Sequence, residues 1–147
     1  MVRPILLVED DPDDEALTLR ALARTRLPNE VVVVRDGAEA LDYLFALGKY
    51  KHRDVEHQPA LVLLDLKLPK VDGFEVMRQI RSDPMTRLIP VVLLTSSREQ
   101  GDLLDGYGTG ANGYVVKPVD FDEFVRAVQE LGDYWIRRNE APPETLG

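Results

Sequence analysis

The sequence predicts an α/β fold in which helices cover both faces of one open parallel sheet. Five short runs of Val, Leu and Ile lie along the chain, and most of them are continuous rather than alternating with polar residues. Continuous apolar runs are typical of strands that are buried on both faces. Segments with helical spacing separate the runs, so a strand is followed by a helix five times. The length of 147 residues fits one domain of this kind.

The strands and the first helix are predicted as follows. The apolar runs place strands at residues 4–8, 31–34, 60–64, 90–94 and 114–116. The first helix is expected to begin at Asp11, which suits the N-cap, with Pro12 in the first helical position. Asp13 and Asp14 then lie near the positive end of the helix dipole. These acidic residues are therefore interpreted as helix-start residues rather than as ligands.

The remaining helices are predicted from their apolar spacing and from the glycines and prolines that follow them. The second begins at Gly37, and the last carries an apolar stripe from residue 121 to 135. The fourth is expected to stop at Gly106, because the glycine-rich stretch 106–110 precedes a strand and so favours a helix end and a turn over a nucleotide loop. Residues 48–59 form an unusually long polar connection.

The order of elements also restricts the topology. Right-handed crossovers between successive parallel strands give a doubly wound sheet. For five strands the most common arrangement is the flavodoxin-like (βα)5 order 2-1-3-4-5. Residues 1–139 are expected to form a single domain with an extended last helix, and residues 140–147 a flexible tail.

Composition limits the classes of partner. The formal net charge is −8, which disfavours binding to nucleic acid or to an anionic membrane surface. The chain has no cysteine, which excludes disulfides and thiolate chemistry. No apolar run approaches the ~20 residues needed to span a bilayer, and no signal-peptide pattern begins the chain. A cytoplasmic location is expected.

Polar side chains follow four of the predicted strands. The carboxyl ends of parallel strands meet at one edge of a sheet, which is where doubly wound folds bind ligands. This edge is expected to gather carboxylates, hydroxyls and one ammonium group, from Glu9, Asp10, Asp65, Thr95, Ser96 and Lys117. Three crowded carboxylates require a compensating cation, and hard oxygen ligands favour Mg²⁺. Such a site could take up a phosphoryl group on a carboxylate.

The motifs at these strand ends, taken together, resemble the signature of response-regulator receiver domains. They are Val8-Glu9-Asp10-Asp11, Leu64-Asp65 with Leu68-Pro69 and Asp72-Gly73, Leu94-Thr95-Ser96, Gly113-Tyr114 and Lys117-Pro118. The resemblance implies that Asp65 accepts the phosphoryl group and that Lys117 contacts its oxygens. It implies that Asp10, Asp65 and the backbone carbonyl of Lys67 bind Mg²⁺, with Glu9 acting through water.

The same resemblance implies the parts of a switch. Thr95 would be the switch hydroxyl, Ser96 would lie beside the phosphoryl group, and Tyr114 would be the aromatic that turns inward. Lys117-Pro118 would be a cis peptide, which proline permits at low energy. The implied activity is that of a phosphoacceptor, with at most slow self-dephosphorylation, whose donor is a separate histidine kinase. Output would pass through contacts with an unknown downstream protein.

Within the family, residues 48–59, Leu68-Pro69-Lys70 and the aromatic C-terminal extension resemble the small regulators paired with bacterial phytochrome kinases. Those relatives imply a homodimer through the fourth helix, fifth strand and fifth helix. Tyr134, Trp135 and Ile136 are candidates for a dimer or partner face, against the alternative of one more core turn with an incidental exposed tyrosine.

Two other functions compete with this interpretation. A Mg²⁺-dependent phosphohydrolase of the haloacid dehalogenase type also uses an aspartyl nucleophile, but it requires a second Asp where this chain has Lys67, and its nucleophile follows the first strand. A degenerate receiver acting as a constitutive binding module is the other alternative, although every expected site residue is present.

Overall fold

The computed structural model describes residues 2–143 and contains one five-stranded parallel sheet in the order β2-β1-β3-β4-β5. The predicted α/β fold and strand order are confirmed. Each strand lies within one residue of its predicted bounds, because each is an apolar run closed by polar residues. The strands are β1 (Ile5–Val8), β2 (Val31–Val34), β3 (Leu61–Leu64), β4 (Val91–Thr95) and β5 (Gly113–Val116).

Five helices connect and flank these strands. They are α1 (Pro12–Arg24), α2 (Gly37–Leu44), α3 (Gly73–Ser82), α4 (Gln100–Gly108) and α5 (Phe121–Gly132). Four of them begin at an aspartate whose carboxylate accepts backbone N–H groups of the first turn, which satisfies donors that have no partner within the helix. These N-caps are Asp11, Asp36, Asp72 and Asp120. After α5 the chain continues as a π-helical segment, Asp133–Arg138.

The side chains of each strand divide between two cores. In β1, Leu6 and Val8 belong to the core that includes residues of α2 and α3. Ile5 and Leu7 belong to the core on the other face, which includes residues of α1 and α5. Because successive side chains of a strand point to opposite faces, four continuous apolar residues supply both cores. The polar residues that follow each strand are thereby left at the edge of the sheet.

The predicted stop of the fourth helix at Gly106 is wrong, since α4 extends to Gly108. Gly106 is buried inside the helix, and a Cβ atom there would lie 2.7 Å from Leu93 Cδ1 and 3.1 Å from the Tyr114 ring. The glycine therefore serves close packing of α4 on the sheet. The turn lies at Gly110, whose φ of +101° is in the left-handed region that glycine tolerates.

The expected cis peptide at Lys117-Pro118 is also wrong, since the described residues contain no cis peptide bond. The trans form of a bond to proline is intrinsically favoured by ~0.5–1 kcal/mol. Lys117 reaches its carboxylate partners from the trans form, so those contacts do not require the cis form.

Arg53 anchors the long connection between α2 and β3. It includes a 3₁₀ turn, Gly48–Tyr50. The guanidinium of Arg53 lies 3.8 Å from the centroid of the Tyr43 ring and donates a hydrogen bond to the carbonyl of His57 at 2.7 Å. Of the tail expected at 140–147, residues 144–147 lie outside the described part of the chain. Within residues 2–143, no helix is long and apolar enough to cross a membrane.

Candidate functional site

The pairing of β1 with β3 brings the predicted carboxylates together. Val8 is in register with Leu64, and the N–H of Asp65 donates to the carbonyl of Val8 at 3.2 Å. The residues that follow these strand ends, Glu9, Asp10 and Asp65, therefore lie side by side. Carboxylate oxygens of the three lie within 4.8 Å of one another.

The pairing of β4 with β5 supplies the cation. Thr95 is in register with Val116, and the N–H of Lys117 donates to the carbonyl of Thr95 at 2.8 Å. The side chain of Lys117 is only 7% exposed, so its ammonium group reaches the carboxylates through the interior of the edge. This burial makes the ammonium a fixed part of the site rather than a mobile surface charge.

Lys117 Nζ contacts three carboxylates. It donates to Glu9 Oε2 at 2.7 Å, to Asp14 Oδ2 at 2.8 Å and to Asp65 Oδ2 at 3.0 Å. Asp14 lies in the first turn of α1, as predicted, but its side chain also reaches the site, which the sequence did not predict. The helix-start interpretation holds for Asp11, whose Oδ1 accepts the N–H groups of Asp13 and Asp14. No sequence signal distinguishes Asp14, because its partner lies 103 residues away.

The site carries more negative than positive charge. Burial, which is the largest influence, raises the pKa of Glu9 to about 7, because one ammonium shared among three carboxylates does not offset the loss of hydration. Burial alone would lower the pKa of Lys117, but its hydrogen bonds to Asp14 and Glu9 and the charge of Asp65 raise it instead. The edge thus holds four acidic side chains and one lysine, so its charge balance favours a further cation.

The donor set at this edge fits a hard divalent cation. Glu9, Asp10 and Asp65 offer only carboxylate oxygens, which are the ligands that Mg²⁺ and similar ions prefer. Asp10 is exposed whereas Glu9 is buried, so the group opens to solvent on one side. Such an opening suits an ion that retains several waters.

The loop after β3 fixes the position of Asp65 through close backbone packing. The N–H of Gly73 donates to the carbonyl of Leu66 at 2.9 Å. A Cβ atom at Gly73 would lie 2.6 Å from the carbonyl oxygen of Asp65 and 2.7 Å from Leu66 Cα, so only glycine allows this approach. Lys67 is exposed, and its N–H donates to Asp65 Oδ1 at 3.3 Å.

The hydroxyl side of the site continues into α4. Thr95 is fully buried and Ser96 is exposed at the end of β4. The Tyr114 hydroxyl donates to the carbonyl of Ser97 at 3.0 Å, and Ser97 Oγ donates to Asp102 Oδ2 at 2.5 Å. Ser97 therefore links Tyr114 to the first turn of α4, a link for which the sequence has no separate motif.

The three residues proposed for a dimer or partner face differ in their exposure. Trp135 and Ile136 are partly buried against the core that includes α1 and α5. Tyr134 is 51% exposed, and its ring packs edge to face on that of Trp135, with the centroids 5.1 Å apart. Most of the segment therefore completes the core, and Tyr134 is the member left on the surface.

Comparison with known proteins identifies the family. The sequence profile described as "Response regulator receiver domain" matches residues 5–129. The chain belongs to this receiver family. Receiver domains are phosphoacceptor signalling modules rather than classical enzymes, and this chain is a phosphoryl-accepting signalling switch. Their acidic pockets bind a divalent metal, which agrees with the donor set at this edge.

Two curated relatives are similar over nearly their whole length. The probable methanogenesis regulatory protein FilR2 of Methanothrix harundinacea is 43% identical over 94% of this chain and 86% of its own. The response regulator Rcp1 of Synechocystis is 35% identical over 94% of this chain and 92% of its own. The resemblance to small receiver proteins is thus not limited to the motifs.

Solved structures give the same result. The phosphorylated cyanobacterial phytochrome response regulator RcpA superposes with a TM-score of 0.90 at 38% identity, covering 97% of this chain and 100% of RcpA. The bacteriophytochrome response regulator RtBRR is 57% identical, with a TM-score of 0.78 over 98% of this chain and 86% of its own. The Mn²⁺-bound form of Rcp1 has a TM-score of 0.89 at 34% identity, over 96% and 99%. Receivers of this type work with histidine kinases, including phytochrome-linked ones.

Proposed function

We propose that Asp65 accepts a phosphoryl group from a phytochrome-type histidine kinase and that the phosphorylated chain signals by protein contact. The observation that carries this proposal is the 3.0 Å contact between Lys117 Nζ and Asp65 Oδ2, with the carboxylates of Glu9 and Asp10 beside it. A carboxylate next to a buried ammonium is both a nucleophile and the centre of a site for a developing anion.

The transfer forms one bond and breaks another. A carboxylate oxygen of Asp65 attacks the phosphorus of the kinase phosphohistidine while the phosphorus–nitrogen bond breaks. The imidazole leaves with the electron pair and takes a proton from solvent. Lys117 neutralises charge on the transferred oxygens, which its burial makes more effective than a surface lysine would be. The loop held by Gly73 keeps Asp65 fixed during the attack.

We assign Mg²⁺ as the resident cation, held by Asp10, Asp65 and the backbone carbonyl of Lys67, with Glu9 acting through water. When bound, the ion would neutralise the phosphoryl oxygens and lower the repulsion among the carboxylates. Support comes from the all-oxygen donor set and from the Mn²⁺ held by Rcp1. Manganese and magnesium share a preference for carboxylate and water ligands.

The switch hydroxyls and Tyr114 carry the signal away from Asp65. Thr95 and Ser96 donate to phosphoryl oxygens, and Tyr114 turns inward as Thr95 moves. Tyr114 already lies against Gly106 of α4 and bonds to the carbonyl of Ser97. A movement of Thr95 would therefore reach α4 through contacts that exist before phosphorylation.

The output face is the surface of α4, β5 and α5, through which the chain forms a homodimer and contacts its downstream protein. Leu104 is 74% exposed and Tyr107 52% exposed on α4, and Val119 and Phe121 are exposed before and at the start of α5. Tyr134 adds an exposed aromatic at the end of the domain, with Trp135 and Ile136 packed behind it. Exposed apolar side chains of this number favour a protein partner.

A receiver of this kind acts on a protein partner rather than on nucleic acid, membrane or small phosphate esters. Residues 1–139 act as one receiver unit in the cytoplasm, with residues 140–147 as a tail. The net charge of −8 argues against nucleic acid or membrane as the direct target. Hydrolysis of the phosphoryl group is slow and is not multiple turnover on ordinary phosphomonoesters, because Lys67 occupies the position of the hydrolase general acid.

The phosphoacceptor is tested by intact mass after incubation with acetyl phosphate and Mg²⁺. We expect the mass of one phosphoryl group on the wild type and none on Asp65→Asn. Asp105→Asn, an exposed carboxylate on α4, is the matched control and should be labelled normally. Labelling of Asp65→Asn, or steady hydrolysis of phosphomonoesters, would contradict the proposal.

The kinase class and the dimer need separate measurements. Transfer from an autophosphorylated phytochrome kinase should be much faster than from a histidine kinase with no photosensory domain. Sedimentation should show that Tyr134→Ser or Leu104→Ser weakens self-association, whereas Leu88→Ser, an exposed leucine outside the output face, does not. Ile136 is less suitable for substitution because it packs against the core.

A further inference from the structure

The ammonium group of Lys117 has no hydrogen-bond donor left for an incoming phosphoryl group. An ammonium has three N–H donors. Glu9, Asp14 and Asp65 accept from it at 2.7, 2.8 and 3.0 Å respectively. A phosphoryl oxygen can therefore bind Lys117 only if one of these carboxylates gives up its bond.

The three carboxylates differ in how easily they can let go. The side chain of Glu9 is 2% exposed, so loss of its bond to Lys117 would leave a buried carboxylate without that cation. Asp65 is the proposed acceptor and stays at the reacting centre. The side chain of Asp14 is 30% exposed, so a rotation would return its carboxylate to solvent at little free-energy penalty. Asp14 is thus the partner that can be displaced.

The side chain of Asp14 is not needed to start α1. The N-cap of that helix is Asp11, whose Oδ1 accepts the backbone N–H groups of Asp13 and Asp14 at 2.8 and 3.2 Å. Only the backbone of Asp14 takes part in this cap. The carboxylate is free to serve the site at the sheet edge, and its contact with Lys117 is the only ion pair it makes within the described residues.

We propose that Asp14 is a positioning residue that holds Lys117 in the unphosphorylated state and is displaced by the phosphoryl group. This inference rests on the proposed function of Asp65. Asp14 opposes phosphorylation in two ways: it occupies a donor of Lys117, and it adds a negative charge beside the arriving anion. It therefore sets how readily the site accepts and keeps the phosphoryl group.

Binding of beryllofluoride with Mg²⁺ present tests the proposal, because the beryllofluoride adduct of a carboxylate imitates the phosphoryl group. Asp14→Asn should bind it more tightly than the wild type, on the order of three- to tenfold, the range of a partly buried ion pair. Asp13→Asn is the matched control. It removes the same charge from the same helical turn, but Asp13 is exposed and its carboxylate makes no ion pair within residues 2–143.

Two further variants separate positioning from a structural role. Asp14→Glu should restore the weaker binding, because it returns a carboxylate to the same turn. In the background of Lys117→Met, adding Asp14→Asn should change the affinity for beryllofluoride no more than adding Asp13→Asn does, since the effect acts through Lys117. A purely structural Asp14 would instead lower the midpoint of thermal unfolding and weaken beryllofluoride binding.

The failures of the two proposals are distinct. A wild-type chain that takes up neither a phosphoryl group nor beryllofluoride overturns the proposed function of Asp65. A wild type that is labelled normally, while Asp14→Asn binds no more tightly than Asp13→Asn, leaves Asp65 intact and overturns the role of Asp14. An effect of equal size in the Lys117→Met background also overturns it.

Discussion

The two edges of the sheet both bring charged side chains into partly buried positions, but they satisfy them differently. At the carboxyl edge, Lys117 is surrounded by acids and Asp10 has two carboxylates beside it. At the amino edge, Arg3 donates to the carbonyls of Gln58 and Pro59, both at 2.8 Å. The carboxyl edge holds an excess of negative charge, whereas at the amino edge the arginine donates its hydrogen bonds to backbone carbonyls.

Arg81 is the clearest member of the amino edge. Its guanidinium donates to the carbonyls of Gly110, Arg87 and Ile89 and to Asn112 Oδ1, all at 2.8–2.9 Å. Asn112 Oδ1 in turn accepts the N–H of Val91. One arginine of α3 thus ties together the starts of β4 and β5. The comparison indicates that the amino edge supplies stability, whereas the carboxyl edge gives up stability for a reactive site.

The largest change in stability is expected when Arg81 is replaced. Arg81→Met should lower the free energy of unfolding by about 2–4 kcal/mol, because it leaves several backbone carbonyls without a donor. Urea unfolding measures the loss. Arg78→Met, an exposed arginine one turn earlier in α3, is the control and should change little. Phosphorylation of the folded Arg81 variant by acetyl phosphate should remain near the wild-type rate. A large fall in that rate would show that the amino edge contributes to the reactive site as well as to stability.

A smaller loss of stability is expected at the carboxyl edge, but it should change function as well. In Gly73→Ala the new Cβ would meet backbone atoms of Asp65 and Leu66, so the loop must shift. Unfolding should become easier by about 1–3 kcal/mol, and phosphorylation should slow because Asp65 moves with the loop.

The control for this glycine is Gly101→Ala. In α4 a Cβ atom at Gly101 meets nothing within 4 Å, so alanine there should be neutral or slightly stabilising. Unchanged phosphorylation in Gly73→Ala would mean that close packing of this loop does not position the acceptor.

The sequence predicted the carboxyl edge better than the amino edge, for a physical reason. Glu9 and Asp65 directly follow the buried strands β1 and β3, and Lys117 follows the partly buried strand β5, so strand prediction alone places them at one edge. The contact of Asp14 with Lys117 was not predicted, because it joins residues far apart in the chain and because helix-start rules already accounted for Asp14. Arg81 has no motif, since backbone carbonyls contributed by several loops satisfy it.

Gly106 and the Lys117-Pro118 bond show the same limit, but here a feature was predicted that the structure lacks. Local rules end helices at glycine, but packing against Leu93 and Tyr114 decides that α4 passes through Gly106. The resemblance implied a cis peptide, yet the bond is trans. Patterns of single elements were sufficient for the strand bounds, and the order 2-1-3-4-5 followed from the most common doubly wound arrangement. Those patterns failed where contacts between elements decide the geometry.

The excess charge of the carboxyl edge should make metal binding depend on pH. Burial raises the pKa of Glu9 to about 7, so below that pH the site is less negative. The apparent Kd for Mg²⁺ should rise about tenfold between pH 8 and pH 6, and Glu9→Gln should flatten this dependence. Isothermal titration calorimetry at several pH values measures it. An equal slope in wild type and Glu9→Gln would show that another group is responsible.

Without metal, the stability of the fold should change with pH in the direction opposite to the affinity for Mg²⁺. Because the pKa of Glu9 in the folded chain lies above its ordinary value, its contribution to stability is fully present below about pH 4.5 and is lost as the pH rises through about 7. Chelator should therefore destabilise the protein more at pH 8 than at pH 6.

The smallest expected effect is a gain of stability at the edge that carries excess charge. Asp10 is exposed and makes no ion pair within residues 2–143, and its carboxylate lies beside those of Glu9 and Asp65. Asp10→Asn should therefore raise the free energy of unfolding without metal by about 0.5 kcal/mol, and it should reduce the further stabilisation by Mg²⁺. Asp105→Asn is the control, because Asp105 is exposed on α4 and does not belong to the cluster of Glu9, Asp10 and Asp65. Thermal melts with chelator measure the gain of stability without metal, and melts with Mg²⁺ measure the reduced stabilisation by the ion. If Asp10→Asn lowers stability in chelator, its carboxylate is held by attraction, and the carboxyl edge does not store the repulsion that distinguishes it from the amino edge.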